Sequence, residues 1–341
     1  MSSLAPNPRP KIVILDGHEA NPGDLDWAPL AELGDLTVHP RTKPEDVVQR
    51  LQGAEIALTN KTKMPREVFD ACPDLRFISV LATGYDVIDL EAARQSGVVV
   101  SNVSGYSTAS VVQAGMALLL ELVNKVGAHS DAIHAGRWTQ ESGAPWSMPL
   151  STLHELAGKN LLIVGWGAIG SRMGACGEAL GMKVRAAVMP GRAGTGEGVE
   201  RVLLADGLAE ANVVSLHCPL KPETRGLFSS DTLTAMKTGA ILLNLARGPV
   251  VDEAAVAQAL RSGHLGGYGT DVTCLEPPHA DCPLIGAPNC VITPHVAWAT
   301  FEARERLLEA TVENVRAFLG GSPVNLVAIS LSLASCHGEP D

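Results

Sequence analysis

Short runs of apolar and β-branched residues alternate with longer helical patterns along this chain, and the alternation occurs twice. The first series runs from Lys11 to about Val100 and contains the segments KIVIL, AEIAL, LRFISV and VVVSN. The second series begins at Lys159 with KNLLIVG and continues through MKVRAAV, ANVVSLH, GAILLNL, GYGTDV and CVITPH. Strands separated by helices form parallel βαβ units, because a parallel connection needs a crossover segment. The sequence therefore predicts two α/β units.

Two further helices are predicted outside this rhythm. The segment STASVVQAGMALLLELVNKV lies between the two series and is apolar on nearly every face. Such a helix is either buried on more than one side or packed at a subunit contact. The segment FEARERLLEATVENVRAFLGG is amphipathic and ends at a glycine pair. Beyond Val327 no pairing pattern is visible, so residues 328–341 are expected to form a loose tail.

The composition of the chain indicates which classes of molecule it is expected to bind. The 341 residues are 46% hydrophobic, enough for two domains with full cores, and carry a formal net charge of −11. That charge repels polyanions, so neither nucleic acid nor an anionic membrane is an expected partner. The seven scattered cysteines lack C-x-x-C spacing, and no signal peptide or membrane-length apolar run is present. We expect a cytoplasmic protein without a metal site, since the histidines show no ligand spacing.

A glycine-rich fingerprint opens the second α/β unit. In LLIVGWGAIGSRMGACGEAL, a strand runs into Gly165, Gly167 and Gly170, and a helical pattern follows directly. In this context the first glycine allows a tight turn, the second lets backbone approach a pyrophosphate, and the third lets helix pack on strand. The helix N-terminus then faces the phosphates. The motif predicts dinucleotide binding; the alternative is that the glycines serve only a turn.

The acid that usually follows such a fingerprint is missing. It should close the next strand, where Val188 stands, and between residues 171 and 196 the only acid is Glu178, inside the helix. The ribose 2′-hydroxyl of NAD therefore has no carboxylate acceptor, and nothing repels a 2′-phosphate. Arg192 on the following loop can pair with that phosphate. We therefore expect NADP(H) to be preferred and NAD(H) to be possible, unless Arg192 is an ordinary solvated loop residue.

Three polar residues stand in apolar surroundings at the ends of predicted strands: Arg247, Glu276 and His295. Open α/β sheets bind ligands at the carboxyl ends of their strands. Hydride addition to a 2-oxo acid builds charge on the carbonyl oxygen, which an imidazolium can quench by donating a proton. A carboxylate would orient that imidazole, and a guanidinium would bind the substrate carboxylate and polarise the carbonyl. Singly, each residue also has a structural reading, as an ion-pair arginine, a turn acid or a hydrogen-bonded strand-end histidine.

His217 is a fourth polar residue near this edge. It ends the strand ANVVSLH of the same predicted sheet. It can line the nicotinamide side of a pocket, but a structural role is equally consistent with the sequence.

These segments resemble the D-isomer-specific 2-hydroxyacid dehydrogenase family, and within it the glycerate dehydrogenase and hydroxypyruvate reductase branch. The resemblance runs from about Lys11 to Val327 and is carried by ATGYDVIDLEAARQSGVVVSNVSGYST, ELAGKNLLIVGWGAIGSRM, VVSLHCPLKPETRGLF, LLNLARGPVVDEAAVAQAL, GTDVTCLEPP and ITPHVAW. It implies an α/β fold of two Rossmann-like domains with a cleft between them. Residues 1–106 and 300–327 would form a flavodoxin-like substrate domain, residues 107–299 a doubly wound parallel-sheet cofactor domain, and the hinges would fall near Gly105 and Ala299.

The resemblance also implies a set of site residues. The family's catalytic Arg, Glu and His fall on Arg247, Glu276 and His295. The substrate contacts fall on the backbone amides of the loop Ala82, Thr83 and Gly84, together with Arg247 and His295. The expected cofactor contacts are Gly165, Gly167, Ala168, Ile169, Gly170, Arg192, His217, Cys218, Pro219, Thr224, Leu245, Ala246, Asp271, His295 and Ala297.

The expected activity is NAD(P)H-dependent reduction of a small 2-oxo acid, in particular hydroxypyruvate and glyoxylate, to D-glycerate and glycolate. A homodimer built on the helix after the first hinge is also implied. Departures from the family pattern are Val188, Gln113 in place of a frequent Glu, and Trp166 inside the fingerprint. Alternatives are another member such as a phosphoglycerate dehydrogenase, or a nucleotide-sensing corepressor-like protein.

Overall fold

A computed structural model describes residues 9–188 and 198–328, and it divides the chain into two compact units. The first unit combines Met1–Ser107 with Ala299–Asp341, and the second is Thr108–Trp298. The strands in chain order are β1 (Lys11–Ile14), β2 (Asp35–Val38), β3 (Ile56–Thr59), β4 (Phe77–Val80), β5 (Val99–Ser101), β6 (Asn160–Val164), β7 (Lys183–Val188), β8 (Glu200–Leu203), β9 (Val213–Leu216), β10 (Ala240–Asn244), β11 (Leu265–Thr270), β12 (Cys290–Ile292) and β13 (Leu326–Ala328).

The helices connect these strands, and two 3-10 turns cover Pro44–Asp46 and Gly248–Val250. The α-helices are α1 (Gly17–Ala20), α2 (Ala28–Ala31), α3 (Val47–Leu51), α4 (Arg66–Ala71), α5 (Leu90–Gln95), α6 (Thr108–Asn124), α7 (Val126–His134), α8 (Ala168–Ala179), α9 (Leu204–Glu210), α10 (Ser230–Thr234), α11 (Glu253–Arg261) and α12 (Phe301–Leu319).

The first unit is built on a six-stranded sheet in the order β13-β5-β4-β3-β1-β2. All pairings are parallel except that of β13 with β5. Every residue of β3 and β4 is buried, as expected for central strands that are covered on both faces. Thr300 caps the N-terminus of α12, and the helix ends at Gly320. The strand order β2-β1-β3-β4-β5 is that of a flavodoxin-like sheet.

The second unit has a seven-stranded parallel sheet in the order β12-β11-β10-β9-β6-β7-β8. Read from β8, this is the 3-2-1-4-5-6 order of a doubly wound dinucleotide-binding fold with one added strand. One buried cluster includes residues of α6 and α8, and another includes residues of α9, α10 and α11. The predicted fold of two Rossmann-like units is confirmed.

Three strands were not predicted from the sequence: β2, β8 and β13. The loose-tail expectation is wrong for Ala328, which pairs with Val100 at the end of the first sheet. Both β2 and β8 are edge strands whose burial patterns are mostly exposed or intermediate. An edge strand needs no continuous apolar run, because it has a neighbour on one side only. Residues 329–341 lie outside the described residues.

The helix predicted between the two α/β series is α6, which buries Val111, Leu118, Leu119 and Leu122. Its other side, at Ala109, Gln113 and Ala117, is exposed in the single chain. Within the described residues no single helix is long and apolar enough to span a membrane, although α6 and α7, bent by 60° at a short break, together meet such a test on length and composition.

Candidate active site

The fingerprint glycines lie where β6 turns into α8, and two of them are required by packing. Gly165 has a φ of +103°, and a Cβ there would come within 2.6 Å of the Cys218 nitrogen. A Cβ on Gly170 would meet the Gly165 carbonyl oxygen at 2.1 Å. A Cβ on Gly167, in contrast, would meet no atom within 4 Å. The first and third glycines thus permit backbone contact, whereas the space beside Gly167 is open to a ligand.

The N-terminus of α8 completes a cradle for a dinucleotide. Gly167 is the N-cap residue and provides no side-chain cap. The N–H groups of Ala168, Ile169 and Gly170 donate no hydrogen bond to any described residue. Free N–H groups at a helix N-terminus, together with the helix dipole, favour a bound phosphate. The loop therefore fits the pyrophosphate of a dinucleotide.

Trp166, the unusual residue of the fingerprint, packs on Gly174 of α8. Its indole carbons would lie 2.8 and 2.9 Å from a Cβ on Gly174, so the ring covers a glycine in the middle of α8. The Arg201 guanidinium lies 5.7 Å from the centre of the ring. The indole therefore fills the gap that Gly174 leaves, and this departure from the family pattern does not block the loop.

Val188 is the last residue of β7, directly beside the fingerprint strand β6. The residue at the expected acid position is thus correctly located at the carboxyl end of the second strand. Arg192 lies outside the described residues, so its part in cofactor choice stays a prediction.

His217 follows β9, and its backbone N–H donates to the Val164 carbonyl at 2.8 Å. The imidazole Nε2 lies 2.8 Å from the Ser215 hydroxyl, whereas the buried Nδ1 has no partner among the described residues. Burial lowers the pKa of His217 to about 4. The imidazole is therefore neutral at pH 7 and cannot supply a proton there.

The remaining predicted cofactor contacts lie on loops at the same edge of the sheet. Cys218 is buried, and burial raises the pKa of its thiol to about 11. The Thr224 hydroxyl donates to the Pro219 carbonyl at 2.7 Å and closes the turn between these residues. Leu245 and Ala246 follow β10 and are almost fully buried. The cofactor contacts of these residues stay predictions.

His295 and Glu276 form a hydrogen-bonded pair. The imidazole Nδ1 lies 2.6 Å from Glu276 Oε2, and the two side chains are 25% and 35% exposed. The other carboxylate oxygen accepts from the Thr273 N–H at 3.2 Å. A carboxylate on Nδ1 fixes the ring and leaves Nε2 to face a substrate. The structure thus brings together two of the three polar residues that the sequence predicts to be catalytic.

Asp271 holds the loop that carries His295. One carboxylate oxygen accepts from the Thr293 hydroxyl at 2.7 Å and the Val296 N–H at 2.9 Å, and the other accepts from the Ala297 N–H at 2.8 Å. Asp271 is only 3% exposed. A buried carboxylate with three donors is a rigid anchor. The structure shows this anchoring, which sequence reasoning missed, while the cofactor contact stays a prediction.

Arg247 follows β10 and is brought close to the Glu276 segment by Gly248. A Cβ on Gly248 would meet the carbonyl carbon and oxygen of Thr273 at 2.1 Å and the Cys274 nitrogen at 2.4 Å. Arg247 donates from Nη1 to the Ala246 carbonyl at 2.9 Å. The two strand-end loops therefore touch backbone to backbone. Arg247 is adjacent to Gly248 on one side of this contact, and Glu276 lies three residues after Thr273 on the other.

The predicted substrate loop belongs to the first unit. Ala82, Thr83 and Gly84 follow β4, and their N–H groups donate no hydrogen bond within residues 9–188 and 198–328. Consecutive free N–H groups can bind a carboxylate. In the described part of the chain, no group of three or more His, Cys, Asp or Glu side chains has the geometry to hold a metal ion.

Comparison with known proteins decides the family. Residues 116–297 match the sequence model described as D-isomer specific 2-hydroxyacid dehydrogenase, NAD binding domain. The chain belongs to the D-isomer-specific 2-hydroxyacid dehydrogenase family. It is therefore an oxidoreductase with a nicotinamide cofactor, and the resemblance expected from the sequence is confirmed.

Two relatives and one solved structure place the chain within the family. A hydroxypyruvate reductase of Blautia hydrogenotrophica is 47% identical over 321 residues, which cover 93% of this chain and 99% of the relative. A glycerate dehydrogenase of Methylorubrum extorquens is 40% identical, covering 83% and 88%. The structure of an NADPH-dependent glyoxylate/hydroxypyruvate reductase of Sinorhizobium meliloti, in complex with NADP and malonate, has a TM-score of 0.79 at 26% identity and covers 94% and 97%. These matches support the predicted branch.

Proposed function

We propose that this enzyme reduces hydroxypyruvate and glyoxylate with NAD(P)H, giving D-glycerate and glycolate. The observation that carries the proposal is the His295–Glu276 pair at 2.6 Å, next to the Arg247 loop, in a chain 47% identical to a hydroxypyruvate reductase. A phosphoglycerate dehydrogenase of Arabidopsis thaliana is less similar, at 31% identity, and this chain covers 52% of it. The smaller substrates are therefore favoured.

In this proposal each residue has a defined task. The reduced nicotinamide, when bound, would supply a hydride to the carbonyl carbon of the substrate. His295 gives a proton from Nε2 to the carbonyl oxygen, so the product is a neutral hydroxyl. Glu276 keeps Nδ1 occupied and stabilises the imidazolium, and Arg247 polarises the carbonyl and contacts the carboxylate. Because His217 is neutral at pH 7, it is not the donor.

The two units would divide this work. We assign substrate binding to residues 1–106 and 300–327, since the free N–H groups of Thr83 and Gly84 fit a carboxylate. We assign cofactor binding to residues 107–299, since the open space at Gly167 and the free N–H groups of α8 fit a pyrophosphate. A change in the cofactor loop should separate the two affinities: Gly167→Val should weaken NADPH binding and leave the binding of oxalate, used as a small carboxylate analogue of the substrate, in place.

We also propose that NADPH is preferred over NADH. Val188 at the end of β7 leaves the ribose position without a carboxylate. Arg192 follows four residues later in the sequence and could pair with the 2′-phosphate of NADPH. The test compares kcat/KM for hydroxypyruvate with the two cofactors. Arg192→Ala should lower affinity for NADPH and not for NADH. A cofactor ratio near one, or an equal loss of both affinities, would refute the preference.

A homodimer is the assembly we propose. Large apolar side chains are exposed on the segment that follows α6, namely Val126, Ile133, Trp138, Trp146 and Leu153. Trp146 is 98% exposed in the single chain, and large apolar side chains exposed along one segment support a surface that a partner covers. Light scattering should give twice the chain mass, and Trp146→Ser together with Trp138→Ser should shift it toward a single chain. A monomeric mass for the unmodified protein would refute the proposal.

Steady-state rates test the reaction itself. Hydroxypyruvate and glyoxylate should be reduced faster than pyruvate and 3-phosphohydroxypyruvate, and no activity with the first two sinks the substrate assignment. His295→Ala should lower turnover by orders of magnitude while the Kd for NADPH changes little. Equal loss of turnover and of NADPH binding would mean that His295 is structural.

A further inference from the structure

Three consecutive peptide groups of the substrate loop are held by their carbonyl oxygens. The Leu81 carbonyl accepts from Asn60 Nδ2 at 2.5 Å, the Ala82 carbonyl from the Val103 N–H at 3.1 Å, and the Thr83 carbonyl from Asn102 Nδ2 at 2.7 Å. In a planar trans peptide, the carbonyl of one residue and the N–H of the next point in opposite directions. Each carbonyl contact therefore aims the N–H of Ala82, Thr83 or Gly84 the other way.

Asn60 is itself rigidly placed by a buried carboxylate. Asp16 is 3% exposed and accepts from the N–H groups of Asn60 at 2.8 Å, Lys61 at 2.6 Å and Thr62 at 2.7 Å. One buried carboxylate thus binds three successive N–H groups of the loop after β3. Asn60, 4% exposed, is thereby fixed beside the loop after β4.

Asn102 belongs to a second buried polar chain. Its backbone carbonyl accepts from Asn314 Nδ2 at 3.0 Å, and Asn314 Oδ1 in turn accepts from Asn325 Nδ2 at 2.8 Å. Asn314, on α12, is fully buried, and Asn102 is 6% exposed. Thr83 adds a return contact, since its hydroxyl donates to the Val103 carbonyl at 3.0 Å. Asn102, which donates to the Thr83 carbonyl, is thus held by α12, a helix about 200 residues later in the sequence.

A buried amide donor is costly unless it is hydrogen-bonded, and the Nδ2 groups of Asn60 and Asn102 both donate to a carbonyl of the substrate loop. We infer that Asn60 and Asn102 are positioning residues that preset the N–H groups of residues 82–84 as an anion cradle for the substrate carboxylate. The inference rests on the proposed function for the identity of the substrate. It assigns to two buried asparagines the orientation of groups that the substrate contacts.

The test uses Asn102→Ala and Asn60→Ala, with Asn21→Ala as the matched control. Asn21 is also a buried asparagine of the first unit, and its Nδ2 donates to the Leu25 carbonyl at 2.7 Å in a different loop. Without the hydrogen bond from the asparagine, the peptide group is free to turn its N–H away from the carboxylate. We expect the KM for hydroxypyruvate and the Kd for oxalate, measured by calorimetry with NADPH present, to rise about tenfold or more. The Kd for NADPH and kcat should change less than about threefold.

Asn102→Leu guards against a variant that fails to fold, because it keeps the side-chain shape and removes the donor without placing a charge in this buried site. It should raise the same two constants as Asn102→Ala. Unchanged KM and oxalate Kd in both Asn102 variants would overturn the inference, as would an equal rise in Asn21→Ala. Failure of the unmodified enzyme to bind oxalate would also overturn it. If the unmodified enzyme binds oxalate but does not reduce hydroxypyruvate, the proposed function fails, and the oxalate series still decides the cradle.

Discussion

Gly248→Ala is the single substitution that most directly tests how the active-site loops are held. The added methyl would lie 2.1 Å from the Thr273 carbonyl carbon and oxygen, whereas ordinary contact begins at 3.4 Å. Gly248 does not have a positive φ, so the substitution strains no backbone conformation of its own. The two loops must therefore separate by about 1.3 Å, the difference between these distances.

The consequence should be larger for catalysis than for folding. Overpacking of this kind typically costs about 1–3 kcal/mol of unfolding free energy. A displacement of about 1 Å between catalytic groups can reduce the rate about 100-fold. Since the Thr273 N–H binds Glu276, the movement is passed to the carboxylate that orients His295. We expect kcat/KM for hydroxypyruvate to fall about 100-fold while the Kd for NADPH, measured by fluorescence titration, stays constant.

Gly266→Ala provides the control. A Cβ there would meet the Gly239 carbonyl oxygen at 2.4 Å, so the overlap with backbone is similar. Gly266 lies near the start of β11, at the opposite end of the strand from Asp271. Its replacement should lower the melting temperature to a similar extent and leave kcat/KM nearly unchanged. The reasoning is refuted if Gly248→Ala keeps kcat/KM within threefold, or if Gly266→Ala loses as much.

Three more outcomes are expected. Glu276→Gln should lower kcat/KM about 100-fold by removing the carboxylate that orients His295, and unchanged turnover would exclude that role. Hydrogen bonding to Arg304 lowers the pKa of Asp24 in the folded protein. The ionised carboxylate therefore adds stability above its unfolded pKa near 3.8, and this stability is lost as the pH falls through the folded pKa. Asp24→Asn should flatten the drop in melting temperature below pH 4, and an identical drop in the variant and the unmodified protein would contradict this. Burial raises the pKa of the Cys218 thiol to about 11, so iodoacetamide at pH 8 should alkylate it at least about 100-fold more slowly in the folded protein than in urea, as judged by mass spectrometry; equal rates would count against the raised pKa.

The parts of the fold that sequence predicts well are those where burial dictates composition. Central strands such as β3 and β4 are buried on both faces, and their β-branched runs are recognisable for that reason. Edge strands β2 and β8 face solvent and carry polar residues, so their sequences resemble loops. The antiparallel strand β13 lies 225 residues from its partner β5 (Leu326 against Ser101), a distance over which no local pattern gives information.

In the candidate site, too, some residues can be predicted from the sequence and others cannot. Arg247, Glu276 and His295 are recognisable because charged groups at the ends of apolar strands are unusual. Asn60, Asn102 and Gly248 act through contacts with other loops, and their residue types are those of ordinary turns. A buried polar side chain has no sequence signature, because burial is decided by the elements that cover it. Only the three-dimensional arrangement identifies these supporting residues.

The interleaving of the first unit along the chain affects how the protein is made. Ser101 donates its hydroxyl proton to the Val324 carbonyl, 223 residues later, and Phe77 stacks on Phe318 at 4.5 Å. On a ribosome adding about 5–20 residues per second, the intervening segment takes about 11–45 s to emerge. During that time the N-terminal sheet lacks both α12 and β13, because the whole of Thr108–Trp298 is synthesised before either of them. Phe77 therefore lacks its stacking partner Phe318 until α12 has been synthesised, and a message truncated after codon 298 would encode a product without that partner.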